Sequence, residues 1–209
     1  MTNTTKVIVG VVVVVAIVLV VYALGHRGSA PVAEELSPTP TPTPTATATA
    51  SVAAYSGSYT SAADMFTVNF PAAPVVRKTT FTLPSVGEVP ITDYRVELGT
   101  DASAKYYLVT VYHYPKTYKF ASDYLASALR LFVSAINAKY PGAKLTSQTP
   151  TQLLGNPAIS GVITVTINGQ KTVGYLLIAT KNQNTYGMGT YNVDQNGYET
   201  FLHSFSFTK

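Results

Sequence analysis

An uninterrupted apolar run near the start of the chain, VIVGVVVVVAIVLVVYAL from Val7 to Leu24, limits what the rest can fold into. The run carries no charge. At about 1.5 Å of rise per residue it would form a helix about 27 Å long, close to the ~30 Å hydrocarbon layer of a bilayer. In lipid the backbone must satisfy its own hydrogen bonds, so even a valine-rich run becomes helical. We therefore predict a transmembrane anchor over residues 7–24, with Val15 near its middle, after a short tail of residues 1–6.

The flanks of this run set the expected topology. Lys6 precedes the run, while Tyr22, His26 and Arg27 lie at its far end, where aromatic and basic side chains meet lipid headgroups. The charges on the two sides nearly balance, and the short leader favours an inside amino terminus with the bulk of the chain exported. A signal peptide cleaved near residues 21–23 is the alternative, although the apolar core of such peptides is usually about 7–15 residues.

Residues 25–54 form a low-complexity linker rich in Thr, Pro and Ala. Its central stretch, LSPTPTPTPTATATAS, alternates proline with threonine. Each proline lacks an N–H donor and disfavours the helical region for the residue before it, so the chain prefers polyproline II geometry at about 3.1 Å per residue. We predict a disordered stalk that holds a domain above the lipid. Thr/Pro tracts are also common acceptors of O-linked sugars.

Composition removes several classes of function. The chain has no cysteine, which excludes a disulfide framework, a thiolate metal site and a cysteine nucleophile. Its net charge is +4, but the positive charge is diffuse: after residue 54, Arg77 and Lys78 are the only adjacent basic pair. Nucleic-acid binding requires a clustered basic face, so we expect no nucleic-acid partner.

Residues 55–209 show the alternation of a folded domain rich in strands. The segments MFTVNFP and ITDYRVEL each place one set of apolar side chains on a single face of a strand. These inward sets are Phe66, Val68 and Phe70, then Tyr94, Val96 and Leu98. TTFTL indicates another short strand. KYYLVTVYHY is apolar on both faces, which suits the middle of a sheet that is covered on both sides.

A helix is predicted after this strand. Ser122 is a suitable N-cap, with Asp123 in the first turn near the positive end of the helix dipole, and Pro141-Gly142 stops the helix. Apolar residues recur at spacings of three and four and form one stripe. The members of this stripe are Leu125, Ala128, Leu129, Phe132, Ala135 and Ile136.

The last part of the domain returns to strands. Asn168-Gly169 is typical of a tight turn and joins the strand ending in VTVTI to TVGYLLIAT, the strongest hairpin signal in the chain. TYGMGTYNV is expected to be a further strand, weakened by Gly187 and Gly189. A short helix containing Tyr198, Phe201, Leu202 and Phe205 and a last strand, SFSFTK, complete the domain. This order predicts an α+β fold, an antiparallel sheet packed against helices.

The segments FTVNFPAAP, FASDYLASALRLFVSAI, VTINGQ and FLHSFSF together resemble the PsbP-like, or Mog1/PsbP-like, superfamily. The resemblance covers residues 58–208 and consists of element order and apolar positions, with no reactive residues to carry over. It implies an αβα sandwich around an antiparallel sheet. It also implies a non-enzymatic role at a membrane or on a protein partner.

The sequence shows no catalytic arrangement. His113 and His203 have no further ligands at the close spacing of a metal site. No G-x-S-x-G elbow surrounds any serine, and no glycine-rich segment has the context of a phosphate loop. Asp93 and Glu97, beside Arg95, could form a glycosidase-like pair, but a solvated charged stripe is the commoner arrangement. We therefore expect no enzyme, no cofactor and no metal.

One surface is a candidate for partner binding. Tyrosines cluster around the strand that is apolar on both faces, and tyrosine is favoured at interfaces, although these side chains would also serve as core or rim residues. The candidate patch consists of Tyr112, Tyr114, Lys116, Tyr118 and Lys119. The function we expect is a membrane-anchored, extracytoplasmic binding or assembly-accessory domain, whose partner is a protein or a surface polymer. The alternatives are an anchored hydrolase of cell-wall or glycan substrates and a purely structural surface protein.

Overall fold

The computed structural model describes residues 57–83, 86–99, 103–167 and 170–209. The predicted transmembrane helix at 7–24 and the linker at 25–54 lie outside these residues. Within the four described ranges, no helix combines the length and the apolar character needed to cross a bilayer.

The described part of the chain forms ten strands and two helices. The strands are β1 (Ser58–Ser61), β2 (Phe66–Asn69), β3 (Val75–Leu83), β4 (Gly87–Leu98), β5 (Lys105–His113), β6 (Lys144–Leu153), β7 (Asn156–Ile167), β8 (Gln170–Lys181), β9 (Asn184–Tyr191) and β10 (Ser206–Phe207). The helices are α1 (Tyr124–Lys139) and α2 (Gln195–His203).

A seven-stranded main sheet organises the domain, in the order β3-β4-β5-β9-β8-β7-β6. Every neighbouring pair in it is antiparallel. A separate three-stranded sheet has the order β1-β2-β10. The prediction of an antiparallel sheet with helices is confirmed, and strands account for far more of the described chain than helices do.

The main sheet is covered differently on its two faces. On the small-sheet face, the three-stranded sheet and α2 enclose a core with side chains of the central strands. This core contains Phe66, Val68, Phe70, Tyr94, Val96, Val109, Val111, Leu177, Ala179, Tyr186, Met188, Phe201 and Phe205. On the opposite helix face, α1 lies over β6, β7 and β8. Its core there contains Leu129, Val133, Ile159, Ile163, Leu176 and Ile178.

Several predicted elements are confirmed. Phe66, Val68 and Phe70 are at most 1% exposed, as the alternation of their segment requires. The strand that is apolar on both faces is β5, inside the main sheet. Leu129 is the fully buried member of the predicted helix stripe. Ile167 pairs with Gln170, so the predicted hairpin forms, while its turn at 168–169 lies outside the described residues.

Other predictions were wrong in detail. The N-cap of α1 is Asp123 rather than Ser122, because the first helical bond runs from the Ser127 N–H to the Asp123 carbonyl. Leu98 is 36% exposed, since β3 begins opposite Arg95 and leaves the end of β4 unpaired on that side. The strands β1 and β6 were not predicted. Most of β6 is exposed and it contains Pro150, which a strand tolerates at the edge of a sheet, where β6 lies.

Gly187 and Gly189 do not mark a weak strand, because β9 is the fourth of the seven strands, and the glycines of β8 and β9 differ in how closely they are packed. A Cβ on Gly174 would lie 2.8 Å from the Tyr191 ring and 2.9 Å from Ile163 Cγ1. A Cβ on Gly187 would meet only Thr110, at 3.9 Å and beyond. The helix face of the sheet is therefore closely packed at Gly174 and open at Gly187.

This difference predicts opposite effects of one substitution at two sites. Gly174→Ala should lower the free energy of unfolding by about 1–3 kcal/mol, because the half-buried Tyr191 ring and the buried Ile163 side chain must shift. Gly187→Ala should be neutral or stabilising by up to about 1 kcal/mol, since alanine restricts the unfolded chain and finds free space. Urea denaturation of both variants is the measurement, and equal destabilisation would contradict the different packing of the two glycines.

Candidate functional site

The segment that joins β5 to α1, residues 114–123, forms an aromatic loop at one corner of the main sheet. Its rings pack on one another: Tyr114 and Tyr118 stack with centroids 4.6 Å apart, and Phe120 lies 5.3 Å from each of them in edge-to-face contact. Tyr124, the first residue of α1, lies 4.5 Å from Phe120. Such offset and edge contacts contribute favourably beyond the area they bury, so the loop is held by its own side chains.

Hydrogen bonds tie this cluster to the sheet. The Tyr124 hydroxyl donates to the Tyr114 hydroxyl at 2.9 Å and lies 2.9 Å from Thr185 Oγ1 on β9. The Tyr114 N–H donates to the carbonyl of Gln183 in the β8–β9 turn. Burial raises the pKa of Tyr124 to about 12. Burial also raises the pKa of Tyr114 well above its ordinary value, with a further contribution from Tyr124.

The predicted patch falls on this loop and on the strand before it. Lys116 and Lys119 are exposed, whereas Tyr112, Tyr114 and Tyr118 are half-buried. Tyr112 and Tyr114 pack over the small core of Val89 and Ile91, and the stacked Tyr118 is attached to Tyr114. The five residues thus lie at one corner of the sheet, with the lysines facing solvent and the tyrosines partly committed to packing. Their role in binding stays a prediction.

A buried polar network lies on the small-sheet face, close to the same corner. Asp64, in the connection between β1 and β2, is 3% exposed. Its Oδ1 lies 2.7 Å from Nε2 of His113, the last residue of β5. Its Oδ2 accepts hydrogen bonds from the hydroxyls of Tyr94 and Ser61. The connection between two strands of the small sheet is therefore joined to the main sheet by a carboxylate with several partners.

The other ring nitrogen of His113 is also engaged. His113 Nδ1 lies 3.1 Å from Oδ1 of Asn184, and the Asn184 amide nitrogen donates to the Tyr186 hydroxyl at 3.3 Å. Tyr186 in turn donates to the backbone carbonyl of Asp64. Both nitrogens of His113 face oxygen atoms, and both contacts are hydrogen bonds when the ring carries two protons.

This network lacks the order of groups required for nucleophilic catalysis. In a catalytic triad the serine hydroxyl bonds to a nitrogen of the histidine, whereas Ser61 bonds to Asp64 and to Tyr94. Both nitrogens of His113 are occupied by Asp64 and Asn184. Within the described residues there is also no group of three His, Cys, Asp or Glu side chains arranged to hold a metal ion.

Sequence reasoning treated His113 as isolated, and the structure shows otherwise. Asp64 and Asn184 lie far from His113 along the chain. Asn184 reaches it because β9 pairs with β5, which places His113 opposite Asn184, and Asp64 reaches it because the small sheet packs on this face of the main sheet. No motif spacing encodes that pairing. The available signal was weak: a histidine at the end of a strand with two apolar faces must bring a polar partner into the core.

Known proteins share features of this fold at low identity. No family model matches the chain, and no curated protein matches it. Among solved structures, the solution structure of cyanobacterial PsbP (CyanoP) from Synechocystis sp. PCC 6803 is similar, with 12% identity and a TM-score of 0.43, over 72% of this chain and 91% of that one.

Two proteins of Pseudomonas aeruginosa are also similar. Protein PA94, of unknown function, has 14% identity and a TM-score of 0.28, over 60% of this chain and 75% of its own. The T6SS immunity protein TplEi has 10% identity and a TM-score of 0.37, over 69% of this chain and 59% of its own. At these identities and TM-scores, none of the three likenesses supports an activity or a partner for this chain.

The contact of Asp64 with His113 predicts unequal effects of two histidine substitutions. His113→Ala should lower the free energy of unfolding by about 1–3 kcal/mol, because it leaves Oδ1 of the buried Asp64 without its hydrogen-bond partner. His203→Ala, at an exposed position on α2, should change it by no more than about 0.5 kcal/mol. The midpoints of urea denaturation curves measure the change in stability of both variants. Similar losses in the two variants would contradict a structural role for the network.

The phenol groups of Tyr114 and Tyr124 predict a loss of stability at alkaline pH. An unfolded tyrosine has a pKa of about 10, and burial in the folded state raises that of Tyr124 to about 12. The folded state holds the proton more tightly, so this stabilisation is complete below pH about 10 and is lost as the pH rises to about 12. We expect the Tm to fall as the pH rises through this range. The ultraviolet absorbance of tyrosinate should rise over the same range. Tyr124→Phe should reduce the fall.

Proposed function

We propose that the protein is a membrane-anchored binding domain that acts outside the cytoplasm, with a PsbP-like αβα sandwich as its folded part. The apolar run at 7–24 and the Thr/Pro-rich stretch before residue 55 support the anchor and the stalk. The described domain supplies a surface suited to recognition. The supporting observation is the aromatic loop, which presents two exposed lysines on a base of packed tyrosine and phenylalanine rings.

This surface has the features of a protein-binding site. Aromatic residues are enriched at interfaces because they offer large, rigid contact area with a polar tip. Tyr118 and Phe120 are half-buried, so part of each ring remains available at the surface. Exposed Lys116 and Lys119 flank the rings and favour an acidic partner surface, since complementary charge raises the rate of association and excludes positive surfaces. The partner we propose is therefore another envelope protein with an acidic contact surface.

The packing of the loop adds to this proposal. A segment that is already ordered loses little conformational freedom when it binds, which is a main cost of association. The ring stack and the bond from Tyr124 to Tyr114 hold the lysines on a fixed base. A loop preorganised in this way suits recognition better than a mobile one of the same composition.

An anchored hydrolase is the second candidate, and one observation favours it. Asp64 and His113 share a hydrogen bond, as an acid–base pair in a hydrolase would. The pair is nearly closed to solvent on the Asp64 side and has no serine on the histidine, so we rank this function below binding. A hydrolytic activity that His113→Gln abolishes while the fold is retained would reverse this order.

Charge reversal on the loop tests the binding function. We expect Lys116→Glu with Lys119→Glu to reduce, by several-fold, the partner cross-linked to the full-length protein in its own membrane. The matched control is Lys144→Glu with Lys171→Glu, two exposed lysines on β6 and β8 that carry the same charge change away from the loop. The tyrosines are left intact because their partial burial would mix binding with stability.

Four outcomes would contradict the proposal. Unchanged capture in the loop variant, or an equal loss in the control variant, would remove the lysines from the interface. Capture of an anionic surface polymer instead of a protein would change the class of partner. Full protection of the domain from an external protease on intact cells would contradict its placement outside the cytoplasm.

A further inference from the structure

The main sheet ends in two outer strands that each have a single neighbour. β3 pairs only with β4 at one edge, and β6 pairs only with β7 at the other. On the outer side of such a strand, the backbone N–H and C=O groups of alternate residues point away from the sheet and can pair with a further strand. The two edges differ in how well they allow this pairing.

The β6 edge is interrupted at two places. Its register on β7 shifts between Leu145 and Ser147, and Pro150 has no N–H to donate. A bulge and a proline are both features that keep a further strand from pairing with an edge. β3 has neither, because its nine residues, Val75–Leu83, contain no proline and pair with β4 in one unbroken register. β3 is therefore the outer strand whose backbone is ready to pair.

The side chains at the start of β3 give this edge its chemistry. Val75 is 60% exposed and Val76 is 41% exposed, and as successive strand residues they lie on opposite faces of the sheet. Arg77 and Lys78 follow them, both exposed and again one on each face. The edge thus offers two apolar side chains and two cations, and no residue of β3 is acidic.

The two cations differ in what lies opposite them on β4. Arg77 faces Asp93 across the strand pair. Lys78 faces Thr92, which is buried and uncharged. Neither cation forms a salt bridge with any residue that the structure describes. Lys78 is therefore the cation whose charge is most available to a partner.

A second copy of this strand would fit the edge poorly. In the longest antiparallel pairing of two β3 strands, centred on Thr79, the two Lys78 side chains are diagonal neighbours on one face. Centring the pair nearer the exposed valines places Arg77 or Lys78 directly opposite its own copy, and like charges in that position destabilise a strand pair. The two cations therefore oppose self-association, which is a common role of charge on an edge strand.

The same charges favour a strand of a different composition. An extended segment with Asp or Glu opposite Arg77 and Lys78 would replace this repulsion by attraction, and β-branched residues opposite Val75 and Val76 would cover their exposed surface. A helix could not pair with the edge, because its own backbone groups are bonded internally. We propose that the outer edge of β3 binds an acidic, extended segment of a partner protein, which adds an eighth strand to the seven of the main sheet.

This edge is separate from the aromatic loop. Leu83, at one end of β3, packs in the same small core as Tyr112 and Tyr114, whereas the exposed valines and the cations lie at the other end of the strand. The proposal therefore does not depend on the partner of the loop.

Selection of peptides tests the proposal without a known partner. The probe is a displayed library of random peptides about ten residues long, enough to span β3, screened against the full-length protein in detergent. The selected peptides should combine Asp or Glu with β-branched residues. Their binding should slow hydrogen exchange at alternate amides of β3, those that face away from β4, and should leave the amides of β6 unchanged. A peptide held by side chains alone would not give this alternating pattern.

Matched variants test the role of charge in this binding. Lys78→Glu should weaken the binding of a selected acidic peptide by about tenfold or more, because attraction between neighbouring side chains becomes repulsion. Lys144→Glu makes the same charge change at an exposed position on β6, at the opposite edge, and should leave the binding unchanged. Lys78 is chosen rather than Arg77 because Arg77 faces Asp93, and its replacement would mix binding with stability.

Several results would overturn the proposal. These are failure to select any peptide that protects β3, selection of basic peptides at this edge, and equal weakening by Lys78→Glu and Lys144→Glu. Protection of β3 that needs no peptide and rises with protein concentration would assign the edge to a second copy instead of a partner. The variant Lys116→Glu with Lys119→Glu should leave peptide binding unchanged, so that failure of the loop proposal and of this one can be told apart.

Discussion

The main constraint on this domain is that β5 and β8 carry apolar side chains on both faces of the main sheet, so both faces need cover. β5 and β9 lie in the middle of the main sheet, and the described chain supplies only two helices to cover it. The small sheet and α2 enclose the core on one face. On the other face α1 reaches only three strands. Part of what the helix does not cover is closed at one corner by the aromatic loop, whose Tyr114 packs over Val89 and Ile91, and the loop surface proposed to bind a partner protein follows from that arrangement.

The position of the small sheet on the main sheet depends on one buried carboxyl group, that of Asp64. β1 and β2 are short strands, and a hairpin of this size has little stability of its own. Phe66 and Val68 anchor it by apolar contact, while Asp64 joins it to His113 and Tyr94 of the main sheet. Apolar packing would tolerate small shifts of the hairpin, whereas a buried carboxylate must keep its partners. The network thus fixes where the small sheet sits on the larger one.

Sequence patterns predicted the elements that have strong local periodicity. Alternation identified β2, β4 and β5, and the three-four spacing around Leu129 identified α1. The polar edge strand β6 was missed because its exposed residues show no apolar face. The order of the strands in the sheets could not be predicted from the sequence. The contact between Asp64 and His113, and the alignment of Asp93 with Gly187 across the sheet, were therefore not predictable. The loop tyrosines were singled out from the sequence as a binding patch, which stays a prediction, and only the structure shows that they pack on one another.

The position of β1 has a mechanical consequence. This strand is the first described element, lies at the edge of the small sheet and pairs only with β2. Any tension applied through the preceding residues would enter the domain at Ser58 and act first on that pairing. The next resistance to peeling would come from the Asp64 network after β1, so the hydrogen bonds of one buried side chain would oppose forced unfolding of the small sheet.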